Sequence, residues 1–180
     1  MAGSTLARRT GLVAVTGGAL YIVRGILSPL NPGRFDVFDS PIDYVGYAIL
    51  SVALLLSIVV LAGLLLQQVA GQGLLTWAGF LAAFGGFGLM FASVSVEGVS
   101  SGTMGDPVGA VGLLFLTIGQ ALLAIAIIRA GELPRWSGLA LLIGMLGLFV
   151  LLDNGGWVLF GLGWAALGSA LWSEERRYAR

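Results

Sequence analysis

The chain contains no cysteine and no histidine, and arginine supplies all 9 of its basic residues. Without cysteine no disulfide can form, and without either residue the usual ligands of structural zinc, haem and iron–sulfur clusters are missing. The thiol and the imidazole that serve most nucleophilic catalysis are missing too. Asp, Glu and Tyr remain as proton donors, so we expect no cofactor, no metal site and no thiol chemistry.

Charged residues are scarce as well. They make up 10% of the 180 residues, whereas a typical soluble domain is about 25% charged. Hydrophobic residues make up 58%, and the mean hydropathy is +0.99. The formal net charge is zero and no basic run stands apart from the apolar stretches, which argues against a nucleic-acid partner. The composition therefore predicts a protein whose main partner is membrane lipid.

Six apolar stretches follow one another along the chain. Since a membrane-spanning helix takes roughly 20 residues, six spans use up most of the sequence. We therefore predict an all-α, integral membrane six-helix bundle that forms a single domain over residues 1–180. The predicted spans are 11–30, 41–69, 74–97, 106–129, 134–152 and 154–172, and Pro41, Pro107 and Pro134 mark the starts of three of them.

The arginines predict the orientation in the membrane. If the N-terminus is cytoplasmic, seven arginines fall on the cytoplasmic side and two fall towards the outside. The seven are Arg8, Arg9, Arg129, Arg135, Arg176, Arg177 and Arg180, and the two are Arg24 and Arg34. We predict a multi-pass protein of the bacterial inner (plasma) membrane with both termini in the cytoplasm.

Part of the sequence recurs at an offset of 59 residues. Trp77, Gly79, Gly85, Gly88 and Leu89 match Trp136, Gly138, Gly144, Gly147 and Leu148. This pattern predicts that the second and third helices form a hairpin that the fourth and fifth repeat in parallel. Chance matching in a glycine-rich apolar sequence is the alternative.

Small residues also recur at four-residue spacing and predict the helix faces that pack closely in lipid. They are Ala14 and Gly18 in the first span, Ala78, Ala82 and Gly86 in the third, and Gly161, Ala165 and Ser169 in the sixth.

Arg24 is the most unusual residue, because it interrupts an apolar span. Glu97, near the end of the third span, lies towards the same side of the membrane, so the two could pair inside the bundle or share a ligand site. The alternative is that both side chains extend to the interface. Asp106 at the start of the fourth span is explained by helix capping or by a place in the same site.

Gln120 is the clearest polar residue near the middle of a span, together with Thr117. A buried amide in hydrocarbon needs a partner, which is either a neighbouring helix or a ligand. Tyr47 belongs with other aromatic residues near span ends, as in an interfacial belt, and it lies near the side of Arg24. The candidate ligand-binding residues are Arg24, Tyr47, Glu97, Asp106 and Gln120.

The segment from Arg129 to Gly138, which contains Leu133-Pro134-Arg135-Trp136-Ser137-Gly138, resembles a stretch of small uncharacterised bacterial membrane proteins of the domain-of-unknown-function type. This resemblance implies a multi-span protein and transfers no catalytic residue. In size and topology the chain is also similar to the substrate-binding components of energy-coupling-factor vitamin transporters. Small membrane terpene cyclases, which use acidic residues and no metal, are similar in available chemistry alone.

These patterns favour a protein that binds or transports a small, largely apolar molecule at an outward-facing site. One alternative is a structural or accessory subunit that contacts a membrane protein partner or a second copy of itself. Another is a metal-independent enzyme that uses acids as terpene cyclases do, with Glu97 as first and Asp106 as second proton donor.

Overall fold

The fold is entirely helical wherever it is described. A computed structural model describes residues 2–28, 41–100, 107–151 and 154–178, and the side chains within 5–28, 41–96, 107–151 and 154–173. Its helices are α1 (Ala2–Leu27), α2 (Pro41–Leu66), α3 (Leu74–Ser100), α4 (Pro107–Ala130), α5 (Arg135–Leu151) and α6 (Gly156–Tyr178). The predicted all-α bundle of six helices is confirmed.

Five of these helices are long and apolar enough to cross a membrane, which makes the chain a polytopic membrane protein. Helix α5 is apolar too but has 17 residues, so it is about 26 Å long, somewhat shorter than the roughly 30 Å hydrocarbon core. The predicted fifth span is therefore present as a helix at the lower limit of spanning length.

Proline and glycine mark several helix ends. Pro41 and Pro107 are the first residues of α2 and α4, where a missing N–H costs nothing. Helix α5 starts one residue later than Pro134, whose carbonyl accepts a hydrogen bond from the Ser137 N–H at 2.9 Å. Gly131 follows α4 with a φ of 70°, the left-handed conformation of a helix C-cap.

The helices form a ring in chain order. Each helix packs against the one before it and the one after it, and α6 closes the ring against α1. Neighbouring helices run antiparallel, so one end of the bundle holds the start of α1, the end of α6 and the turns at 67–73 and 131–134. We call this end the terminal side and the opposite end the distal side.

Helices α1 and α6 meet along a seam of glycines. Gly11 lies against Gly168, and Gly18 lies against Gly161 and Ala165. A Cβ atom on Gly18 would be 2.8 Å from the backbone N of Ala165, so only hydrogen fits there. The spacing of seven residues keeps the glycines on one line along each helix, and in lipid such close approach drives association. The predicted small-residue faces of Gly18 and Gly161 are therefore confirmed.

A second glycine seam joins α3 and α4. Gly79 packs against Leu123, Gly86 against Leu116, and Gly119 against Ala83. The seam follows residues 79, 83, 86 and 90, an alternation of four and three. The stripe of Ala78, Ala82 and Gly86 predicted from the sequence was therefore wrong at Ala78, which is exposed, because a strict four-residue step drifts around the helix. Ser169 of α6 is exposed for the same reason.

The glycines of the sequence repeat do not share one environment. Gly79 and Gly138 both pack against α4, at Leu123 and Ala124. However, a Cβ on Gly85 or Gly88 would meet nothing within 4 Å, whereas Gly144 and Gly147 are buried against Leu159 of α6. The hairpin repeat thus stays a prediction from sequence, and its matching glycines pack differently.

Candidate functional site

Aromatic side chains occupy the interior of the ring. We call Tyr21, Phe87, Trp157, Phe160 and Trp164 the aromatic cluster; all are buried. Tyr21 stacks on Trp157 with ring centroids 5.7 Å apart and meets the edge of Phe160 at 4.9 Å. Trp164 lies 6.4 Å from Phe160 and packs edge-on against Phe87 at 5.6 Å. The cluster therefore links α1, α6 and α3 across the ring.

Tyr21 has its polar atom satisfied. Its hydroxyl lies 3.0 Å from Ser57 Oγ, and Ser57 Oγ lies 3.0 Å from the carbonyl oxygen of Ala53. Because Ser57 donates its one proton to Ala53, Tyr21 donates to Ser57. This pair ties α1 to α2 beside the aromatic cluster.

Gln120 faces the same interior. On α4 it lies between Gly119, which packs on α3, and Ala124, which packs on α5. Its side chain is 3% exposed, and neither Oε1 nor Nε2 has a hydrogen-bond partner within the described part of the chain. The interhelical hydrogen bond considered from the sequence is thus not made there. By contrast, Thr117 Oγ1 donates to the Leu113 carbonyl at 2.7 Å within its own helix.

Trp164 is likewise buried with its polar atom unpartnered among the described residues. On α6 it lies between Gly161, which packs on α1, and Gly163, which packs on Ala140 of α5. The residue is 2% exposed, and its Nε1 has no hydrogen-bond partner in the same described set. Trp164 was not among the ligand-binding residues predicted from the sequence. The feature that could have identified it is its position in the middle of a span, because tryptophans of membrane proteins usually lie at the interface.

Gln120 and Trp164 lie at nearly the same depth. Gly138 of α5 packs beside Ala124 of α4, and Gly163 of α6 packs beside Ala140 of α5. Counting along these contacts places Gln120 level with the residues just before Trp164, within about one helical turn of 5.4 Å. Both α4 and α6 begin on the distal side, and helical side chains lean towards the N-terminus, so both lean that way.

Arg24 and Tyr47 form a separate pair between α1 and α2. Each is 7% exposed, and Arg24 Cζ lies 5.9 Å from the centroid of the Tyr47 ring, as in a cation–π contact. A Cβ on Gly46 would lie 3.5 Å from Arg24 Nε, so the guanidinium lies directly against the backbone of α2. Two of the predicted site residues are therefore brought together in the interior of the bundle.

The ligand-binding residues predicted from the sequence do not all lie at one depth in the bundle. Gln120 is level with the contact of Gly18 and Gly161, so the backbone of Arg24 lies about 9 Å closer to the distal side at 1.5 Å per residue. Glu97 belongs to α3, but its side chain lies outside the described ones, and Asp106 lies outside the described residues. Their pairing with Arg24, their place in the site and their role as acids remain predictions.

Buried and partly buried polar groups near the terminal side are, in contrast, hydrogen-bonded. Gln67 Nε2 donates to Thr10 Oγ1 at 3.0 Å and to the Gly63 carbonyl at 2.8 Å. Thr10 in turn donates to the carbonyl of Leu6, and Thr76 donates to that of Ala70 at 2.7 Å. These polar side chains on the terminal side are thus hydrogen-bonded within the bundle.

No group of three or more acidic side chains that could hold a metal ion occurs among the described residues. Comparison with protein-family models, with curated proteins and with solved structures finds no match.

Proposed function

We propose that the protein binds or transports a small, largely apolar molecule inside the helix ring, with access from the distal side. The observation that carries this proposal is the aromatic cluster, in which rings from three helices contact one another across the interior. Sites for small molecules are lined mainly by apolar and aromatic side chains with a few polar groups that orient the ligand.

Glycines, and not the aromatic rings, mark the close backbone approaches between neighbouring helices. The closest contacts of α1 with α6 and of α3 with α4 run along glycines, at Gly18 and Gly161 and at Gly86 and Gly119. Aromatic rings project between these seams into the centre. A ligand bound among these rings would therefore leave the glycine seams in place.

Arg24 and Tyr47 mark the distal part of the proposed site. A guanidinium within a membrane span is costly and usually faces a cavity, a pathway or a partner inside the bundle. Arg24 is buried against α2 beside Tyr47, on the distal side of the aromatic cluster. We place Gln120 at the deeper end of the site and, from the sequence, Glu97 and Asp106 at its mouth.

We further propose that the distal side faces outward. Arg8, Arg9, Arg129 and Arg135 are exposed on the terminal side, as the positive-inside rule requires of a cytoplasmic face. The native chain has no cysteine, so single cysteines can be labelled selectively. Glu132→Cys should react with an impermeant maleimide only in inverted vesicles, and Asn154→Cys only in right-side-out ones; the reverse pattern contradicts this orientation.

Native mass spectrometry of protein extracted from its membrane in copolymer nanodiscs tests the binding function. We expect a small-molecule adduct on the wild type, and its loss in Phe160→Leu, which removes a ring of the aromatic cluster. Phe149→Leu is the matched control, because Phe149 is 51% exposed on α5. A wild type without adduct, or an adduct that survives Phe160→Leu, contradicts the proposal. The measured masses also show whether the chain is a monomer, a homo-oligomer or part of a larger complex.

A further inference from the structure

We propose that Gln120 and Trp164 together bind a neutral hydrogen-bonding group of the small molecule, an alcohol or an amide. This inference rests on the proposed function and specifies its substrate class: an apolar body with one uncharged polar group that is buried near the middle of the membrane. Arg24 and Tyr47 are not needed for this contact, because they lie closer to the distal side.

Both side chains are buried, and these polar atoms have no hydrogen-bond partner in the part of the chain that the structure describes. Gln120 is 3% exposed and Trp164 is 2% exposed, and no described residue accepts from Trp164 Nε1 or bonds either end of the Gln120 amide. Polar groups buried in protein nearly always have partners, and inside a membrane bulk water cannot supply them. By contrast, the buried hydroxyls of Tyr21 and Ser57 are hydrogen-bonded to each other.

The two side chains approach the same part of the ring interior. Gln120 and Trp164 come from α4 and α6, which run in the same direction on either side of α5. Both side chains face the interior, lie within about one helical turn of depth, and lean towards the distal side. Trp164 also contacts Phe87 and Phe160, so the indole N–H lies at the edge of the aromatic cluster.

The hydrogen-bonding groups of these two side chains are complementary to an alcohol or an amide. The indole N–H only donates, whereas the glutamine amide both donates and accepts. A hydroxyl or a primary amide can accept from Trp164 and donate to Gln120 Oε1 at the same time. A carboxylate would be buried without a cation at this depth, since the backbone of Arg24 lies about 9 Å closer to the distal side. An ammonium group would be buried without a carboxylate, since the acidic side chains that the structure describes lie at or beyond helix ends. A neutral group is therefore selected.

Thermal unfolding in lipid nanodiscs with cyclohexanol, cyclohexanecarboxamide and cyclohexane tests this inference. We expect the alcohol and the amide to raise the Tm of the wild type more than cyclohexane does. Gln120→Leu should abolish that difference, with Gln120→Met as a second variant of similar shape. Trp164→Phe keeps the ring and removes the N–H, so it should weaken alcohol binding about tenfold, the effect of losing one hydrogen bond.

The controls are Thr117→Val, which removes a hydroxyl bonded within its own helix, and Trp136→Phe, which changes an exposed tryptophan. Both should respond as the wild type does. If all three compounds shift every variant equally, the assignment of Gln120 and Trp164 is overturned while apolar binding stands. If no compound distinguishes the wild type from Gln120→Leu, the assignment is overturned as well, and the adduct seen by native mass spectrometry alone decides the proposed function.

Discussion

Gln67 on the terminal side and Gln120 in the middle of the ring differ in the hydrogen bonding of their side-chain amides. On the terminal side, Gln67 reaches from α2 to Thr10 of α1 and also bonds the backbone of its own helix. In the middle of the ring, Gln120 is more deeply buried and has no partner among the described residues. Among the described residues, the part-buried amide of Gln67 is thus hydrogen-bonded, whereas the buried amide of Gln120 is not. Gln120 thus differs from the hydrogen-bonded polar groups of the terminal side.

The largest effect on stability is expected from substitutions in the glycine seam between α1 and α6. Gly18→Val places a side chain against the backbone of Gly161 and Ala165, so α1 and α6 must move apart. We expect a loss of about 3 kcal/mol or more in the free energy of unfolding, measured by SDS titration, because the backbone cannot yield as a flexible side chain can. Gly85→Val is the control, since nothing lies within 4 Å of its Cβ position; an equal loss there would refute the seam.

A smaller effect is expected on the terminal side. Gln67→Leu removes two hydrogen bonds and leaves Thr10 with only its intrahelical partner. The expected loss is about 1–2 kcal/mol in the same titration, given that interhelical hydrogen bonds in membranes are worth about 0.6 kcal/mol on average. A stability equal to that of the wild type would show that this network does not hold the terminal side together.

The smallest effect, with the opposite sign, is expected at the middle of the ring. In ligand-free protein, Gln120→Leu replaces an unsatisfied buried amide by an apolar side chain of similar size, so stability should stay the same or rise by up to about 1 kcal/mol. The double variant with Gln67→Leu should be additive within about 0.5 kcal/mol, since the two sites are far apart. A clear loss of stability in the single variant would mean that the amide is hydrogen-bonded without ligand, which removes the contrast between the two regions.

Much of the candidate site could not be read from the sequence. Gln120 was recognised because a mid-span amide is rare in hydrocarbon, and Arg24 because a charge is rarer still. Trp164 was missed, since one-dimensional patterns assign tryptophans to the interface. Arg24 and Tyr47 were grouped by side of the membrane, and Gln120 was added as a polar residue near the middle of a span. The helix contacts separate the distal pair from the deeper amide, with the backbone of Arg24 about 9 Å closer to the distal side.

By itself the sequence determined the number of helices, their approximate bounds and their need for lipid, because hydropathy and helix-start prolines are local properties of the chain. It also indicated that glycine would form the helix contacts. Only the tertiary structure decided that the helices close into a ring, that the seams alternate steps of four and three, and that the glycines of the repeat pack differently. Those features depend on how each helix is rotated about its axis, and that rotation is set by neighbours distant in sequence. The same rotation turns Gln120 and Trp164 towards a common interior, which the sequence alone did not reveal.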